Sequence, residues 1–142
     1  MAYQIVVFAE NRPGRLEEIT GVLAEAEVNI RAITIASSNG FGVVKLLVDR
    51  PEEALGRLKD AGLSVSLQEV LAVPMEDRPG GLHRVLQVLA NQGINVEDAY
   101  GFVEESGRRA VLVVEVEDPR EAERLLREAG LSPIGDEELY AL

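Results

Sequence analysis

Two Pro-Gly turns contain the groups of this sequence that are best suited to binding a small molecule. The turns are residues 11–16, Asn-Arg-Pro-Gly-Arg-Leu, and residues 77–82, Asp-Arg-Pro-Gly-Gly-Leu. Both precede stretches with helical spacing, and a helix N-terminus offers unpaired N–H groups and a partial positive charge to a carboxylate. The Asn11 and Asp77 side chains carry oxygen atoms that can accept hydrogen bonds from an ammonium group. The pattern therefore predicts binding chemistry.

The two turns differ at two positions that bear on this chemistry. The first turn has Asn11 and Arg15, whereas the second has Asp77 and Gly81. Glycine lets a ligand approach the backbone closely, whereas Arg15 is bulky. We therefore expect the second turn to be the occupied one.

The chain repeats itself, and the two turns are equivalent points of the repeat. The first motif recurs 66 positions later, as from Gly14 to Gly80. Further along, Ala-Gly-Leu-Ser at 61–64 recurs 68 positions later at 129–132. The slip of two residues falls in Gly- and Ser-containing segments between β-rich stretches, 37–42 and 103–109, which predicts a hairpin loop of variable length.

Each copy has the same predicted order of elements. In the first copy we expect strands at 3–9, 29–36, 41–49 and 63–67, and helices at 13–26 and 51–61. Apolar residues spaced by three and four positions place one apolar face on each helix, as at Leu16, Ile19 and Leu23 in the first copy and at Leu82, Val85, Leu86 and Leu89 in the second. Prolines stand in the first turns of the predicted helices, where proline is tolerated: Pro13, Pro51, Pro79 and Pro119.

Two consecutive strand-helix-strand units form an antiparallel four-stranded sheet with both helices on one face, the ferredoxin-like arrangement. The sequence therefore predicts an α+β protein made of two tandem βαββαβ domains, residues 1–68 and 69–142. Almost no linker separates them, because 67–69 leads directly into the apolar segment 70–73.

Composition excludes several classes of protein. The chain of 142 residues has a net charge of −11 and no strong basic patch, which argues against binding nucleic acid or an anionic membrane. With no Cys and one His, it cannot build a zinc or iron–sulfur site or use a thiol nucleophile. His83 lies one position after an apolar helix residue and is expected to face solvent. We expect a cytoplasmic protein that has no cofactor and is not an enzyme.

The two motifs, each followed by Val-Asn-Ile at 28–30 or Ile-Asn-Val at 94–96, resemble ACT domains, the amino-acid-sensing modules of biosynthetic enzymes. The resemblance covers the whole chain twice and is similar to stand-alone tandem ACT proteins. In the serine-sensing members, polar side chains of the loop and the Asn that opens the second strand hold the effector at an interface between paired domains. A His of those members is replaced here by Ala9 and Met75, so serine is not implied.

The resemblance and the turn chemistry together give a set of candidate ligand-binding residues. They are Asn11, Arg12, Pro13, Gly14, Arg15, Leu16, Asn29 and Ile30 in the first copy, and Glu76, Asp77, Arg78, Pro79, Gly80, Gly81, Leu82, Asn95 and Val96 in the second. The implied ligand is a free amino acid or a similar small effector, with branched-chain, aromatic, Ser and Gly ligands all open. The resemblance also implies a homodimer and a separate metabolic enzyme or regulator that responds to the ligand.

Two alternatives stay open at this stage. A Pro-Gly turn is also ordinary punctuation between a strand and a helix, and Asn29 or Asn95 can simply cap a turn. The protein as a whole could equally be a constitutive interaction subunit whose ACT pair binds a partner protein without any ligand.

Overall fold

A computed structural model describes residues 2–142, which divide into two compact units, Tyr3–Gln68 and Glu69–Tyr140. In chain order the elements are β1 (Ala2–Glu10), α1 (Arg15–Glu25), β2 (Ile30–Ser38), β3 (Phe41–Val48), α2 (Pro51–Asp60), β4 (Ser64–Glu76), α3 (Gly81–Asn91), β5 (Asp98–Glu105), β6 (Arg109–Glu115), α4 (Pro119–Glu128) and α5 (Asp136–Tyr140). The predicted fold class, a βαββαβ repeat in two copies, is confirmed.

The sheet of the first unit has the strand order β2-β3-β1-β4, and β3 is antiparallel to both β1 and β2. Pairing places Ile5 opposite Leu46 and Val7 opposite Val44. These alternating residues form one buried cluster with Leu23 of α1 and with residues of α2, so both helices cover the same face of the sheet. The apolar residues that alternate along the strands and those that recur every three to four positions along the helices thus form a single core.

The second unit has an equivalent core, but its last segment differs from the prediction. Its strands lie in the order β4-β6-β5. The segment 131–135, where the repeat implies a strand equivalent to 63–67, forms no strand and makes a backbone hydrogen bond from Ile134 N to Ala72 O of 2.7 Å. Pro133 has no N–H to donate to a ladder, which is the physical reason. The chain continues into α5, which the sequence did not predict and whose Leu139 is fully buried.

The two copies meet within one strand. We expected a short strand at 63–67 and a new strand from residue 70, but β4 is unbroken over Ser64–Glu76. Residues 67–70, Leu-Gln-Glu-Val, contain neither Gly nor Pro, so nothing in the sequence interrupts the extended backbone.

Two helices begin later than predicted. Pro13 and Pro79 precede the helices, which start at Arg15 and Gly81. Pro51 and Pro119 do occupy first turns, as predicted. None of the helices within residues 2–142 combines the length and the apolar character needed to cross a membrane.

The slip of two residues between the copies is explained by the hairpins. In the first unit two residues, Asn39 and Gly40, join β2 to β3. In the second unit residues 106–108 join β5 to β6, and the pairing also shifts between Val103 and Glu105. One extra residue in the loop and one in the bulge account for the difference. The predicted loop of variable length is therefore only half of the explanation.

Arg50 stabilises the C-terminal end of α1. Its Nη2 donates to the carbonyl oxygens of Ala26 at 2.8 Å and Glu27 at 2.6 Å, and its Nη1 donates to Glu53 Oε2 at 2.6 Å. We expect Arg50→Ala to lower the free energy of unfolding by about 1.5 kcal/mol, because hydrogen bonds to charged groups contribute about 1.5–3 kcal/mol and this side chain is partly exposed. Urea denaturation measures the change.

Arg57→Ala is the matched control for Arg50. Arg57 lies on α2 and reaches the same Glu53 carboxylate at 3.7 Å, but in the described part of the chain its side chain makes no hydrogen bond to a carbonyl of α1. An exposed ion pair of this kind contributes about 0–1 kcal/mol. Equal losses in the two variants would contradict the capping role of Arg50.

Candidate functional site

The turn of the first unit is attached to the β2–β3 hairpin. The backbone N–H of Asn11 donates to Gly40 O at 2.8 Å, and its side-chain Nδ2 donates to Ser37 Oγ at 2.8 Å. Arg12, exposed beside it, lies 3.7 Å from the carboxylates of Glu10 and Glu18. The Asn11 amide nitrogen is therefore held by the protein itself.

The turn of the second unit makes the corresponding attachments. Asp77 N donates to Arg108 O at 3.2 Å, and Asp77 Oδ2 accepts a hydrogen bond of 2.7 Å from Gly107 N. Arg78 forms an ion pair with Glu76. One carboxylate oxygen of Asp77 is thus engaged, and its Oδ1 has no partner within the described chain.

Both Pro-Gly turns leave backbone donors unpaired at the helix that follows. Gly14 and Gly80 adopt left-handed backbone conformations, with φ of 84° and 87°, which glycine alone adopts at low cost. Arg15 N and Gly81 N are engaged by carbonyls of Arg12 and Arg78. Within residues 2–142, the N–H groups without an acceptor are those of Arg12, Gly14, Leu16 and Glu17 at the first turn and of Gly80, Leu82 and His83 at the second. The unpaired donors that the sequence predicted are present in both copies.

A cavity of about 270 Å³ lies beside the first turn. Arg15 lines it and is held by Glu18, with 3.1 Å between Nη1 and Oε2. The Nε atom of Arg15 is buried and has no hydrogen-bond partner among residues 2–142. This cavity falls below the range of about 300–1,000 Å³ that is usual for ligand pockets.

The cavity beside the second turn is larger, about 410 Å³, and lies within that range. It is lined by Pro74, Met75, Glu76, Gly81, Arg84, Val85, Arg108, Arg109 and Leu131. Four of these positions match lining residues of the first cavity in the repeat, with Gly81 in place of Arg15. Of these two turn cavities, the second therefore has the volume that is usual for a ligand pocket.

Gly81 does not have the role that the sequence suggested for it. We expected its missing side chain to leave space for a ligand. Instead, a Cβ at Gly81 would overlap the carbonyl oxygen of Glu76 and lie 3.0 Å from its carbonyl carbon. Gly81 is buried, and glycine is required there by the chain's own backbone. Gly81 lines the second cavity. The equivalent position of the first unit is Arg15, which has a long side chain.

The two predicted Asn residues lie far from the turns within their own units. Asn29 precedes β2 and exchanges hydrogen bonds with Asp49, whereas Ser37, the partner of Asn11, is near the other end of that strand. Eight residues separate Asn29 from Ser37, which is roughly 26 Å of extended chain at about 3.3 Å per residue. One ligand cannot contact both Asn11 and Asn29 of the same unit.

The second unit separates its corresponding residues in the same way. Asn95 is exposed three residues before β5, not at its start as predicted, and lines a cavity of about 230 Å³ with acidic neighbours such as Glu97 and Asp118. Val96 packs against the core. Ile30, its counterpart in the first unit, does likewise. Neither residue of this pair touches a turn cavity.

The two copies of the chain can be assigned to a protein family. A family model described as an ACT domain pair matches residues 1–142. The chain belongs to the ACT domain family. Its resemblance to the family over both copies is thereby confirmed.

Solved structures similar to this ACT domain pair come from several organisms. Protein BT0572 from Bacteroides thetaiotaomicron has a TM-score of 0.91 and 31% identity, over 99% of this chain and 96% of that one. The ligand-free regulatory subunit of aspartate kinase from Thermus thermophilus has a TM-score of 0.67 and 21% identity, over 89% and 91%. The regulatory subunit from Thermus flavus has a TM-score of 0.59 and 19% identity, over 90% and 92%. At these identities the two kinase subunits show the shared fold alone. A search of curated proteins finds no match.

The ACT domain pair offers little for acid–base or metal chemistry in the residues described. His83 is exposed on the first turn of α3, as expected. Burial raises the pKa of Tyr100 above its ordinary range, and the nearby carboxylates of Asp98 and Glu115 raise it further, so its hydroxyl stays protonated. Residues 2–142 contain no group of three or more His, Cys, Asp or Glu side chains arranged for a metal ion.

Sequence reasoning missed the charged residue of the second cavity that differs most between the copies. Arg84 lines the cavity and stands 66 positions after Glu18. A comparison of the two copies position by position, extended past the Pro-Gly motif, contains this signal. Arg108 and Arg109 form the one adjacent basic pair of the sequence, and both line the same cavity.

Proposed function

We propose that this ACT domain pair is a regulatory protein that binds a free amino acid at the turn of its second unit. The observation that carries the proposal is a cavity of about 410 Å³ lined by Gly81 and Arg84, at a helix start where the N–H groups of Gly80, Leu82 and His83 have no acceptor within residues 2–142. An α-carboxylate is the natural ligand for such donors at a helix N-terminus. The second oxygen of Asp77 supplies an acceptor for the ammonium group.

Signalling in this proposal depends on pairing of ACT units, taken as residues 1–68 and 69–142, in a homodimer. Because Asn29 and Asn95 are remote from the turn of their own unit, either residue joins the ligand only from another ACT unit. A ligand held between two units shifts their pairing by its difference in affinity for the two states. A separate enzyme or regulator then responds, in keeping with the similarity to aspartate kinase regulatory subunits.

Thermal unfolding with each of the twenty amino acids tests the binding. We expect at least one amino acid to raise the unfolding midpoint, because a ligand at 100 times its dissociation constant adds about 2.7 kcal/mol to stability. If none of the twenty changes the midpoint, the sensor function is wrong and a constitutive interaction subunit becomes the better account.

The matched variants Gly80→Ala and Gly14→Ala locate the site. Both glycines have nearly the same φ, and a Cβ at either position meets no atom within 4 Å, so the two substitutions carry the same backbone strain, about 1–2 kcal/mol. We expect Gly80→Ala to weaken binding in calorimetric titration and Gly14→Ala to leave it unchanged. Loss of binding in Gly14→Ala alone would assign the ligand to the first unit.

A further inference from the structure

We infer that the ligand of the second unit is an amino acid with an acidic side chain, and that Arg84 binds that second carboxylate. The inference rests on the proposed function, since it concerns the same cavity. It goes further by naming the ligand class and the residue that selects it.

The first step is an exchange of charge between the two copies. In the first unit Arg15, which lines the smaller cavity, forms an ion pair of 3.1 Å with Glu18. In the second unit Gly81 replaces the arginine, and Arg84 replaces the glutamate. The ion pair that engages the lining arginine of the first cavity is therefore absent from the second, and an arginine stands where the first unit has a carboxylate.

The second step concerns which cations of the cavity are available. Arg108 lies 3.1 Å from Glu105, and Arg109 lies within 3.4 Å of both Glu104 and Glu138. Of the three lining arginines, Arg84 is the one that makes no ion pair or side-chain hydrogen bond with any residue from 2 to 142. The lining carboxylate, Glu76, is paired with Arg78. An anion entering the cavity meets an uncommitted guanidinium at Arg84.

The third step is the charge of the helix that carries Arg84. The first turn of α1 contains Glu17 and Glu18, which offset the positive end of the helix dipole, whereas the first turn of α3 contains no acidic residue. Arg84 adds a further positive charge one turn from Gly80. In a protein with a net charge of −11, this cavity is a local exception that favours an anionic ligand.

The remaining wall of the cavity suits the carbon chain of such a ligand. Met75, Val85 and Leu131 line it with apolar side chains. Methylene groups can pack there while one carboxylate meets the helix donors and the other meets Arg84. Glutamate and aspartate combine these features, whereas a neutral amino acid leaves Arg84 unpaired.

Calorimetric titration of the full-length protein with L-glutamate, L-aspartate, L-glutamine and L-asparagine tests the inference. We expect one of the two acids to bind at least about tenfold more tightly than its amide, since only the acid can form a charge-assisted hydrogen bond with the Arg84 guanidinium. In Arg84→Gln this preference should disappear. Arg120→Gln, which removes the same charge from an exposed position of α4 outside the cavity, should keep it.

Urea denaturation of both variants checks that these exposed substitutions leave the fold intact. Equal affinity for acid and amide, or an unchanged affinity for the acid in Arg84→Gln, would overturn the role of Arg84. Binding of a neutral amino acid without binding of either acid removes this inference and leaves the proposed function standing. If no amino acid binds the wild-type protein, both fail.

Discussion

An alanine at position 81 is expected to lower the free energy of unfolding by about 3 kcal/mol. Its Cβ would overlap the carbonyl oxygen of Glu76, a backbone atom at the end of β4. Overpacking typically costs about 1–3 kcal/mol, and the upper end applies because a backbone carbonyl moves only with its strand. The turn that presents the donors of Gly80 and Leu82 is built on this close approach, so we also expect ligand binding to weaken.

Urea denaturation of Gly81→Ala measures the loss, and Gly21→Ala provides the control. Gly21 lies inside α1, where a Cβ meets nothing within 4 Å. Alanine is the better helix former, so this variant should gain about 0.5–1 kcal/mol. A Gly81→Ala protein as stable as the wild type would show that the turn does not depend on glycine.

Truncation of Leu89 to alanine is the other large effect, with an expected loss of about 3–4 kcal/mol. Leu89 is 1% exposed and packs in the core of the second unit with Val85 and Leu126. Removing a buried leucine side chain costs about 2–5 kcal/mol, depending on how far the site collapses. Because α3 carries Arg84 and the unpaired donors, its attachment to this core also fixes the position of the candidate site.

Leu86 is the matched control on the same helix. The sequence placed Leu82, Val85, Leu86 and Leu89 on one apolar face, but Leu82 is 45% and Leu86 is 37% exposed. We expect Leu86→Ala to change the unfolding free energy by less than about 1 kcal/mol. Similar losses at Leu86 and Leu89 in equilibrium denaturation would mean that the apolar stripe is buried more widely than this structure has it.

Much of the fold was predictable because the repeat shows the pattern twice. Strand and helix periodicities agree between the copies, and Pro51 and Pro119 mark helix starts in both. The Pro-Gly turns misled at the boundary, because Gly14 and Gly80 adopt φ values above 80° that delay the helix by two residues. Propensity alone does not distinguish a proline inside the first turn from one just before it.

Features that appear in one copy only were not predictable from the repeat. The sequence signal at 129–132 matches 61–64, yet the chain after α4 forms no strand, since Pro133 interrupts the ladder. The short α5 has no counterpart in the first copy. A repeat predicts what the copies share, and local chemistry decides where they differ.

The sequence motif pointed to the turns of the candidate site, but the composition of the site was only partly predictable. The motif identified the turns and their donors, whereas Arg84 lies beyond the motif and reaches the cavity through the geometry of α3. Asn29 and Asn95 came from the family resemblance, in which the ligand lies between paired domains. A set of residues drawn from two domains cannot be assembled within one unit, and here each Asn precedes the second strand of its unit, far from the turn.

The unbroken strand β4 restricts how this sequence can change in length. Its first half neighbours β1 and its second half pairs with β6, so a one-residue insertion or deletion near residue 68 would turn the side chains of one half to the opposite face of its sheet. The hairpin ends, in contrast, already differ by two residues between the copies. Length variation among homologues should therefore be tolerated at the hairpins and rejected at the junction.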